Sequence, residues 1–506
     1  MIPSRSLLGA VMPWALLATL YAAPTLAQPV SVTFQGQIYT NQGLVGVARV
    51  PSNAVDKFGD TVSLGSGMSV LPGSWHKRGD GSFTGTFLML PDRGWNTQGT
   101  VDYAGRLHRY QATLNPYYGA GPTSQDQLTM RYKTSNLFHE PHKNTTGLDP
   151  LAVRPASGNL PPLPQAPNGK IAVDDEGVVY PGDGTMWIGD EYGPYVYHYN
   201  AAGKLIGAIR PPEAFVPKRI HNGVATDDFS ANAPPQGQAY NVGNPVSGRQ
   251  NNQGAEGLAI SPDHKTLYIL LQSALIQDLD ATSSTTISNT RRNARMLAYD
   301  ISGATPALIH EYVVQLPLFN ATKTAAQSEL KALNDHQFLV LARDSGNGHG
   351  AAGATSLYRS VDLIDISGAT DIANAANGTD YDNPDPVTHA FHPVAPGGVL
   401  DTAHITPVAY QKFVNVNDAT QLAKFGLHNG PVNDNNNLNE KWESIAILPV
   451  FDKKNPNDYF LVIAADNDFI TQDGHMLGNA YVDASGFNND TLMLVYRVTL
   501  PNYQPS

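Results

Sequence analysis

The sequence predicts an all-β protein that folds as a β-propeller. Short apolar runs of strand length recur along the chain, and each is followed by a run in which polar and apolar residues alternate. Several of the apolar runs are also preceded by a third short strand and a turn. One such unit cannot cover its own hydrophobic faces, so the copies must stack, and short antiparallel sheets arranged radially satisfy this requirement.

The two main strand types differ in their pattern. The apolar runs have the β-branched and aromatic content of strands buried on both faces, and most of them end in a polar, mainly acidic cluster. They cover residues 87–90, 185–188, 267–271, 338–341 and 459–463. The alternating runs, several of which end at a turn glycine, cover residues 107–110, 196–200, 296–300, 361–365 and 494–498.

The repeat gives five recognisable blades and leaves room for more. The copies lie at about residues 66–115, 171–210, 254–316, 325–368 and 441–500. The uneven spacing predicts six or seven blades in total, with the additions coming from residues 28–60, 205–250 or 369–440. We also expect the segment from Val30 to Tyr39 to close the ring against the C-terminal strands. Two β-sandwich domains are the alternative, which fits less well because the repeat keeps its phase along the chain.

Composition excludes several classes of protein. The 506 residues carry a formal charge of −12, 15% of them are charged, and there is no cysteine. With 41% hydrophobic residues the chain can form a large core, which excludes a disordered protein. The acidic balance argues against nucleic-acid binding, and the missing cysteines exclude thiol nucleophiles and cysteine-ligated zinc.

The N-terminus predicts secretion. Arg5 precedes an apolar run from Leu7 to Ala23, and small residues stand before Gln28, as in a cleaved signal peptide. We therefore expect a signal peptide over residues 1–27 and one propeller domain over residues 28–506, secreted or, in a bacterium, periplasmic. Four Asn-x-Thr sequons, at Asn144, Asn320, Asn377 and Asn489, are candidate glycosylation sites.

Three glutamates occupy the same place in three copies of the repeat. Glu176, Glu256 and Glu443 each begin a strand that precedes an apolar run. The innermost strands of a propeller line its central channel, so these carboxylates should converge and repel one another unless a cation is bound. Oxygen ligands favour Ca²⁺, with Asp466 as a fourth acidic ligand. The alternative is a hydrogen-bonded strand start that recurs through duplication.

A second polar set follows the apolar runs. Arginine can bind phosphate or carboxylate through two hydrogen bonds, and a carboxylate can act as a general base. The catalytic candidates in this set are Asp92, Arg93, Asp190, Glu191, Arg343 and Asp344. The alternative is a series of salt bridges at blade corners. Ser345, His221, His349 and His404 are minor candidates, and the chain has no G-x-S-x-G, P-loop or H-E-x-x-H motif.

These motifs resemble the phytase-like family, whose domains are described by an esterase-like activity of phytase. The resemblance rests on the runs LPDRG at 90–94, DGTMWIGDEYGP at 183–194, EGLAISPD at 256–263, LARD at 341–344 and KWESI at 441–445. It implies a secreted or periplasmic propeller whose acidic residues hydrolyse phosphoesters. Two departures stand out: Leu151 replaces the glutamate of the family's LDPEG stretch, for which residues 173–177 are the better counterpart, and the third apolar run ends in Gln272-Ser273.

The expected function is therefore metal-dependent phosphoester hydrolysis at a carboxylate-rich channel. The alternatives are hydrolysis of a carboxylic ester or lactone, and a calcium-stabilised propeller that binds a ligand without catalysis. We expect a small-molecule ester or phosphoester substrate, no nucleic-acid or membrane partner, and a monomer. The net acidic chain argues against highly phosphorylated substrates unless calcium bridges them.

Overall fold

Five antiparallel sheets form the blades of a β-propeller in the computed structural model, which describes residues 29–283 and 288–505. The predicted signal peptide lies outside these residues. The strands, from the innermost outward, are Gly67–Val70, Phe83–Leu90, Arg106–Leu114 and Leu128–Leu137 in blade 1; Asp175–Val179, Thr185–Asp190, Val196–Asn200 and Leu205–Ile209 in blade 2; Ala255–Ile260, Thr266–Leu271, Asn293–Asp300 and Ala307–Gln315 in blade 3; Ala326–Ala332, Gln337–Arg343, Arg359–Asp365 and Ala409–Asn415 in blade 4; and Lys441–Pro449, Asp458–Asp466, Thr491–Thr499, Gln37–Val50 and Val30–Phe34 in blade 5. The predicted propeller is confirmed.

The N-terminal strands close the ring as the sequence predicts. Gln37–Val50 pairs with the last strand of the chain, Thr491–Thr499, so that blade 5 combines both ends of the chain. Val30–Phe34 pairs with Gln37–Val50 and forms the outer edge of that blade. Blade 5 therefore depends on chain segments more than 400 residues apart.

The ring closes with five blades among the described residues. The innermost strand of each blade contacts the innermost strands of both neighbours, and blade 5 contacts blade 1. The expectation of one or two further blades is not met, because the segments that suggested them serve existing blades. Residues 29–60 supply outer strands of blade 5, and residues 205–250 and 369–440 supply the fourth strands of blades 2 and 4 together with loops.

The hydrophobic core lies between the blades. A buried apolar cluster fills each of the five spaces between neighbouring sheets. The second strands of blades 4 and 5, Gln337–Arg343 and Asp458–Asp466, are buried along their whole length. Burial on both faces explains why these strands read as continuous apolar runs, and each fully buried leucine or valine stabilises the fold by about 1.5–3 kcal/mol.

The segment between the third and fourth strands of blade 4, residues 366–408, wraps around the outer edge of blade 3. The N–H of Ile372 donates to the carbonyl of Glu311, and the N–H of Val408 donates to that of Val313, at 2.9 Å each. A sixth apolar cluster, which includes Val313 and Val394, lies under this segment. The segment thus covers an exposed sheet edge, which would otherwise be open to pairing with another chain.

Short elements decorate the loops. The two-stranded hairpins are Ala152–Arg154 with Leu163–Gln165, Lys218–His221 with Val224–Asp227, Leu318–Phe319 with Lys323–Thr324, and Gly474–Met476 with Asn479–Tyr481, and His76–Lys77 pairs with blade 1. The α-helix Ala419–Ala423 is capped by the Asp418 carboxylate, and 3₁₀ turns lie at Ile276–Asp278, Ala373–Ala375 and Pro396–Gly398. No helix within the described ranges is long and apolar enough to cross a membrane.

The sequons differ in exposure. Asn144, Asn320 and Asn377 lie in exposed loops. Asn489 is buried, and its side-chain oxygen accepts a hydrogen bond of 2.8 Å from Asn439. Asn489 has no room for a glycan in the folded chain.

Candidate functional site

The innermost strands of blades 2 to 5 carry a bulge or an irregular register at the start of the blade. In blade 3, Ala255 pairs with Leu271 and Gly257 with Leu270, which leaves Glu256 as the extra residue. Glu443 is the extra residue in blade 5, and Ser328 takes this place in blade 4. Glu176 lies in the corresponding irregular stretch of blade 2. A bulge turns a side chain away from the regular alternation, and here it directs polar groups to the channel.

The glycines that follow two of these glutamates allow the innermost strands to approach closely. A Cβ atom on Gly177 would lie 2.5 Å from the carbonyl oxygen of Glu256, and one on Gly257 would lie 2.9 Å from the Cβ of Leu330. Both distances are shorter than a non-bonded contact allows. The Glu-Gly pairs of the sequence therefore combine a channel-facing acid with tight contact between blades.

A polar cavity of about 330 Å³ lies where the innermost strands begin. Its lining residues in the described chain are Asp92, Arg93, Asn96, Asp174, Glu176, Glu191, Asn252, Glu256, Gln272, Arg343, Ser345, Glu440, Lys441, Glu443 and Asp468. Eight carboxylates thus face three cationic side chains. When all are ionised, the cavity has a strong negative charge and attracts cations.

Two arginines flank the cavity from different blades. Arg93 Nη1 lies 2.8 Å from Asp174 Oδ2 and also donates to Asn252, and Arg343 Nη2 lies 2.5 Å from Glu443 Oε1. Arg343 is buried, the side chain of Arg93 is 10% exposed, and the buried Nε–H of each has no hydrogen-bond partner within the described residues. Each arginine is therefore fixed by a carboxylate and keeps an unused donor.

Lys441 lies among acids contributed by blades 1 and 5. Its Nζ is 2.8 Å from Asp468 Oδ1, 3.5 Å from Asp466 Oδ2 and 3.7 Å from Glu443 Oε1. Burial alone would lower the pKa of this ammonium, but the surrounding carboxylates raise its pKa well above the ordinary value. Lys441 is thus a permanent cation of the site.

Several cavity carboxylates have a buried oxygen without a hydrogen-bond partner. Glu176 Oε2, Glu191 Oε1, Glu256 Oε2 and Glu443 Oε2 are buried and have no hydrogen-bond partner in the part of the chain that the structure describes. Unpartnered buried carboxylate oxygens are costly, so such atoms indicate a missing cation or proton.

Burial and mutual repulsion shift the titration of these acids. Burial, with the charges of Glu256 and Glu443, raises the pKa of Glu176 well above its ordinary value. Burial, with the charges of Glu191 and Glu443, does the same to the pKa of Glu256. Burial and the charge of Asp174 raise the pKa of Glu191 to about 7. Each rise in pKa reflects the free-energy cost of keeping these groups ionised together without a bound cation.

The acids form two groups that could each hold a metal ion. In each group, carboxylate oxygens lie within 4.8 Å of one another. One group is Asp174, Glu176 and Glu191, which blade 2 and the residues next to its strands supply. The other is Asp92, Asp466 and Asp468, at the ends of the second strands of blades 1 and 5.

Most of the predicted site residues meet at this cavity. Asp92, Arg93, Glu176, Glu191, Glu256, Arg343 and Glu443 line it, and Asp466 lies next to it beside Lys441. Their roles as catalytic residues and metal ligands stay predictions.

Asp190 and Asp344 lie outside the cavity lining and serve turns. Asp190 accepts the N–H groups of Asp174 at 2.9 Å and Gly193 at 2.6 Å. Asp344 accepts the N–H of Leu357 at 2.8 Å and the hydroxyl of Ser356 at 2.5 Å. Their carboxylate oxygens accept hydrogen bonds that stabilise the turns after the strands. This explains why acids recur at these strand ends without facing the channel.

The sequence reasoning did not assign Asp174 or Lys441 to the site. Each stands two positions before a predicted glutamate, Asp174 before Glu176 and Lys441 before Glu443. That spacing was the available signal, because it puts a second charged residue at the same end of the same strand. The histidine candidates lie elsewhere: His221 pairs with Asp228, His404 with Asp401, and His349 hydrogen-bonds to Asn433.

Comparison with known proteins gives one family match and one close relative. Residues 80–469 match the family model described as "Phytase-like: Esterase-like activity of phytase". A protein of Arthroderma benhamiae, described as an uncharacterized secreted protein, is 41% identical over 475 residues, which covers 86% of this chain and 88% of that protein.

Solved structures show only remote similarity. A luciferin-regenerating enzyme aligns with 11% identity and a TM-score of 0.28, covering 86% of this chain and 92% of the enzyme. A periplasmic gluconolactonase of Pseudomonas aeruginosa aligns with 11% identity and a TM-score of 0.26, covering 92% and 94%. TM-scores this low do not establish a shared architecture.

Proposed function

The chain belongs to the phytase-like family, and from this premise we propose that it is a secreted, cation-dependent hydrolase of phosphoesters whose active site is the central cavity. The observation that supports this most directly is the set of carboxylates with a buried oxygen that has no partner among the described residues, beside two arginines with unused donors. The relative from Arthroderma benhamiae supports the secreted location.

The donor set fits a hard divalent cation. Ca²⁺ takes six to eight oxygen ligands and prefers carboxylates, amide oxygens and water. The cavity offers eight carboxylates, with the amides of Asn96, Asn252 and Gln272 close by. Histidine does not line it, so the chemistry of the described lining favours calcium over zinc.

The residues of the chain would hold the substrate from two sides. A bound cation would polarise a phosphoryl oxygen and lower the pKa of a bound water. The guanidinium groups of Arg93 and Arg343, which line the cavity, would donate to phosphate oxygens, while Asp174 and Glu443 keep the two guanidinium planes in place. Burial of these groups strengthens each of the hydrogen bonds because water is excluded.

The excess of carboxylates limits the charge of the substrate. A substrate with a single phosphate group adds least to this negative charge, whereas a highly phosphorylated molecule would be repelled. The same excess favours a neutral carboxylic ester or lactone as the second candidate substrate class.

The experiment that tests the proposal is a panel of substrates with and without calcium. Chelator-treated protein, reloaded with Ca²⁺, should hydrolyse 4-nitrophenyl phosphate or bis(4-nitrophenyl) phosphate, and chelation should abolish turnover. Glu256→Gln should lower kcat at least about tenfold while the melting temperature stays at or above that of the wild type, since a repelling charge is removed. Asp401→Asn, at an exposed ion pair with His404, is the matched control and should keep full activity.

The other outcomes assign a different function. Turnover of 4-nitrophenyl acetate or a lactone alone would replace the phosphoester with the neutral substrate class. If calcium-loaded protein turns over none of these substrates, the chain is a binding protein and the hydrolase proposal is wrong.

A further inference from the structure

The two carboxylate groups of the cavity differ in how completely they are neutralised. Every acid of the group formed by Asp92, Asp466 and Asp468 already has donors. Asp92 accepts from the N–H of Gly94 at 3.1 Å and from Asn96 at 2.5 Å. Asp466 accepts from Ser63 at 2.5 Å and from the N–H of Asp468 at 3.0 Å.

The ammonium of Lys441 sits against this same group. It lies 2.8 Å from Asp468 and 3.5 Å from Asp466. It therefore supplies a positive charge in the place where a metal ion would otherwise balance these carboxylates. None of the side-chain oxygens of Asp92, Asp466 and Asp468 is left buried and unpartnered within residues 29–283 and 288–505.

The group formed by Asp174, Glu176 and Glu191 is in the opposite condition. Its cationic partner within the described chain is Arg93, which binds Asp174. Glu176 and Glu191 are 96% and 98% buried, and Glu176 Oε2 and Glu191 Oε1 have no hydrogen-bond partner among the described residues. Both glutamates belong to the group in which one carboxylate oxygen of each residue lies within 4.8 Å of the others.

We propose that the cavity binds one divalent cation, at Asp174, Glu176 and Glu191, and that the Lys441 ammonium takes the place of a second cation at Asp92, Asp466 and Asp468. This assigns the metal to a different ligand set from the one expected from sequence, which combined glutamates of three blades with Asp466. It rests on the cation dependence in the proposed function and specifies where the cation lies.

Calcium binding to purified, chelator-treated protein tests the assignment. Titration calorimetry with CaCl₂ and elemental analysis after gel filtration should both give one Ca²⁺ per chain. Glu176→Gln and Glu191→Gln should each weaken binding at least about tenfold, because a charged ligand is lost. Asp468→Asn is the matched control, equally close to the cavity, and should leave one ion bound with an affinity within about twofold of the wild type.

A substitution of Lys441 tests the role of this lysine. Lys441→Gln removes the ammonium and exposes the second acidic group, so we expect two Ca²⁺ per chain. If this variant does not fold without calcium, refolding it with CaCl₂ and counting the bound ions gives the same readout. One ion in folded Lys441→Gln contradicts the role of the lysine.

The remaining outcomes overturn the assignment. Two ions in the wild type, no ion at all, or loss of the ion in Asp468→Asn but not in Glu191→Gln would each contradict the assignment. Failure here is separable from failure of the proposed function. Phosphoester turnover without bound calcium would keep the hydrolase and reject the metal site, whereas one bound calcium without turnover would do the reverse.

Discussion

The residue two positions before each bulged residue sets the charge of that side of the cavity. Blade 2 has Asp174 in this position and blade 5 has Lys441, and both residues line the cavity. Blade 3 has Gly254, where a Cβ would lie 2.4 Å from the Cα of Glu191. Equivalent positions in three blades thus hold an acid, a cation or no side chain, and this asymmetry leaves one acidic group without a neutralising lysine while the other has one.

A buried glutamate deeper in the ring makes stability depend on pH. Glu329, on the innermost strand of blade 4, accepts the N–H of Leu330 at 2.8 Å, and its Oε2 has no hydrogen-bond partner within the described chain. Burial raises the pKa of Glu329 to about 8. The folded state therefore holds the proton more tightly than the unfolded state, and the stability that this proton gives is complete below about pH 4 and is lost as the pH rises through about 8.

Glu329→Gln should remove this dependence. The free energy of unfolding of the wild type should fall by up to about 1.4 kcal/mol per pH unit relative to the variant between pH 5 and pH 8, so the variant should be the more stable protein at pH 8. Urea unfolding at pH 5, 6.5 and 8 measures the difference. Asp263→Asn, at an exposed turn, is the control and should run parallel to the wild type. A constant difference between wild type and Glu329→Gln across this range would contradict the shift.

At the scale of elements, the close contact between innermost strands depends on glycine residues, which have no Cβ. The carbonyl of Glu256 packs against Gly177, and a Cβ there would also lie 2.9 Å from the Cβ of Leu258. Both neighbours are fixed in a buried strand, so the strain cannot be relieved by a side-chain rotation.

Gly177→Ala should therefore destabilise the protein by about 1–3 kcal/mol through forced separation of blades 2 and 3. Urea unfolding measures the loss. Gly368→Ala is the matched control, because nothing lies within 4 Å of a Cβ at that position, and it should be neutral or slightly stabilising. Equal stability of the two variants would show that the innermost strands can move apart freely.

The sequence predicts the strands of each blade but not the use of every loop. The five copies of the repeat correspond to the five observed blades because each pattern is local. The long segment 369–440 suggested a further blade, yet its first part packs Ile372 and Val394 against the edge strand of blade 3. The segment packs on an apolar sheet edge that it contacts only in the folded protein, so a local sequence pattern cannot predict this packing.

At the scale of the whole molecule, the ring brings the starts of the innermost strands together at one centre. Convergence of Glu176, Glu256 and Glu443 could be predicted because equivalent positions of a ring point to one axis. The different roles of two neighbouring acids could not be predicted, because both follow the same apolar run. Asp190 accepts hydrogen bonds in a turn, whereas Glu191 lines the cavity. That difference depends on the path of the loop after the strand, which the sequence pattern leaves open.

Closure of the ring by the N-terminal strand should make the fold one cooperative unit. Leu44, Val45 and Val47, on the fourth strand of blade 5, are at most 4% exposed and join the clusters on both sides of that blade. Each contributes about 1.5–3 kcal/mol of burial, so together they approach the 5–15 kcal/mol that stabilises a typical domain.

A chain that begins at Ser52 should lose cooperative unfolding and aggregate, since the strand Thr491–Thr499 is left with an open edge. A chain that begins at Gln37 lacks only Val30–Phe34, in which Phe34 is the one buried residue, and should unfold cooperatively within about 2 kcal/mol of the full protein. Circular dichroism during urea unfolding, with light scattering, compares the two truncations. Similar cooperative transitions for both would mean that the ring is held by the innermost strands alone and that the N-terminal strand is dispensable.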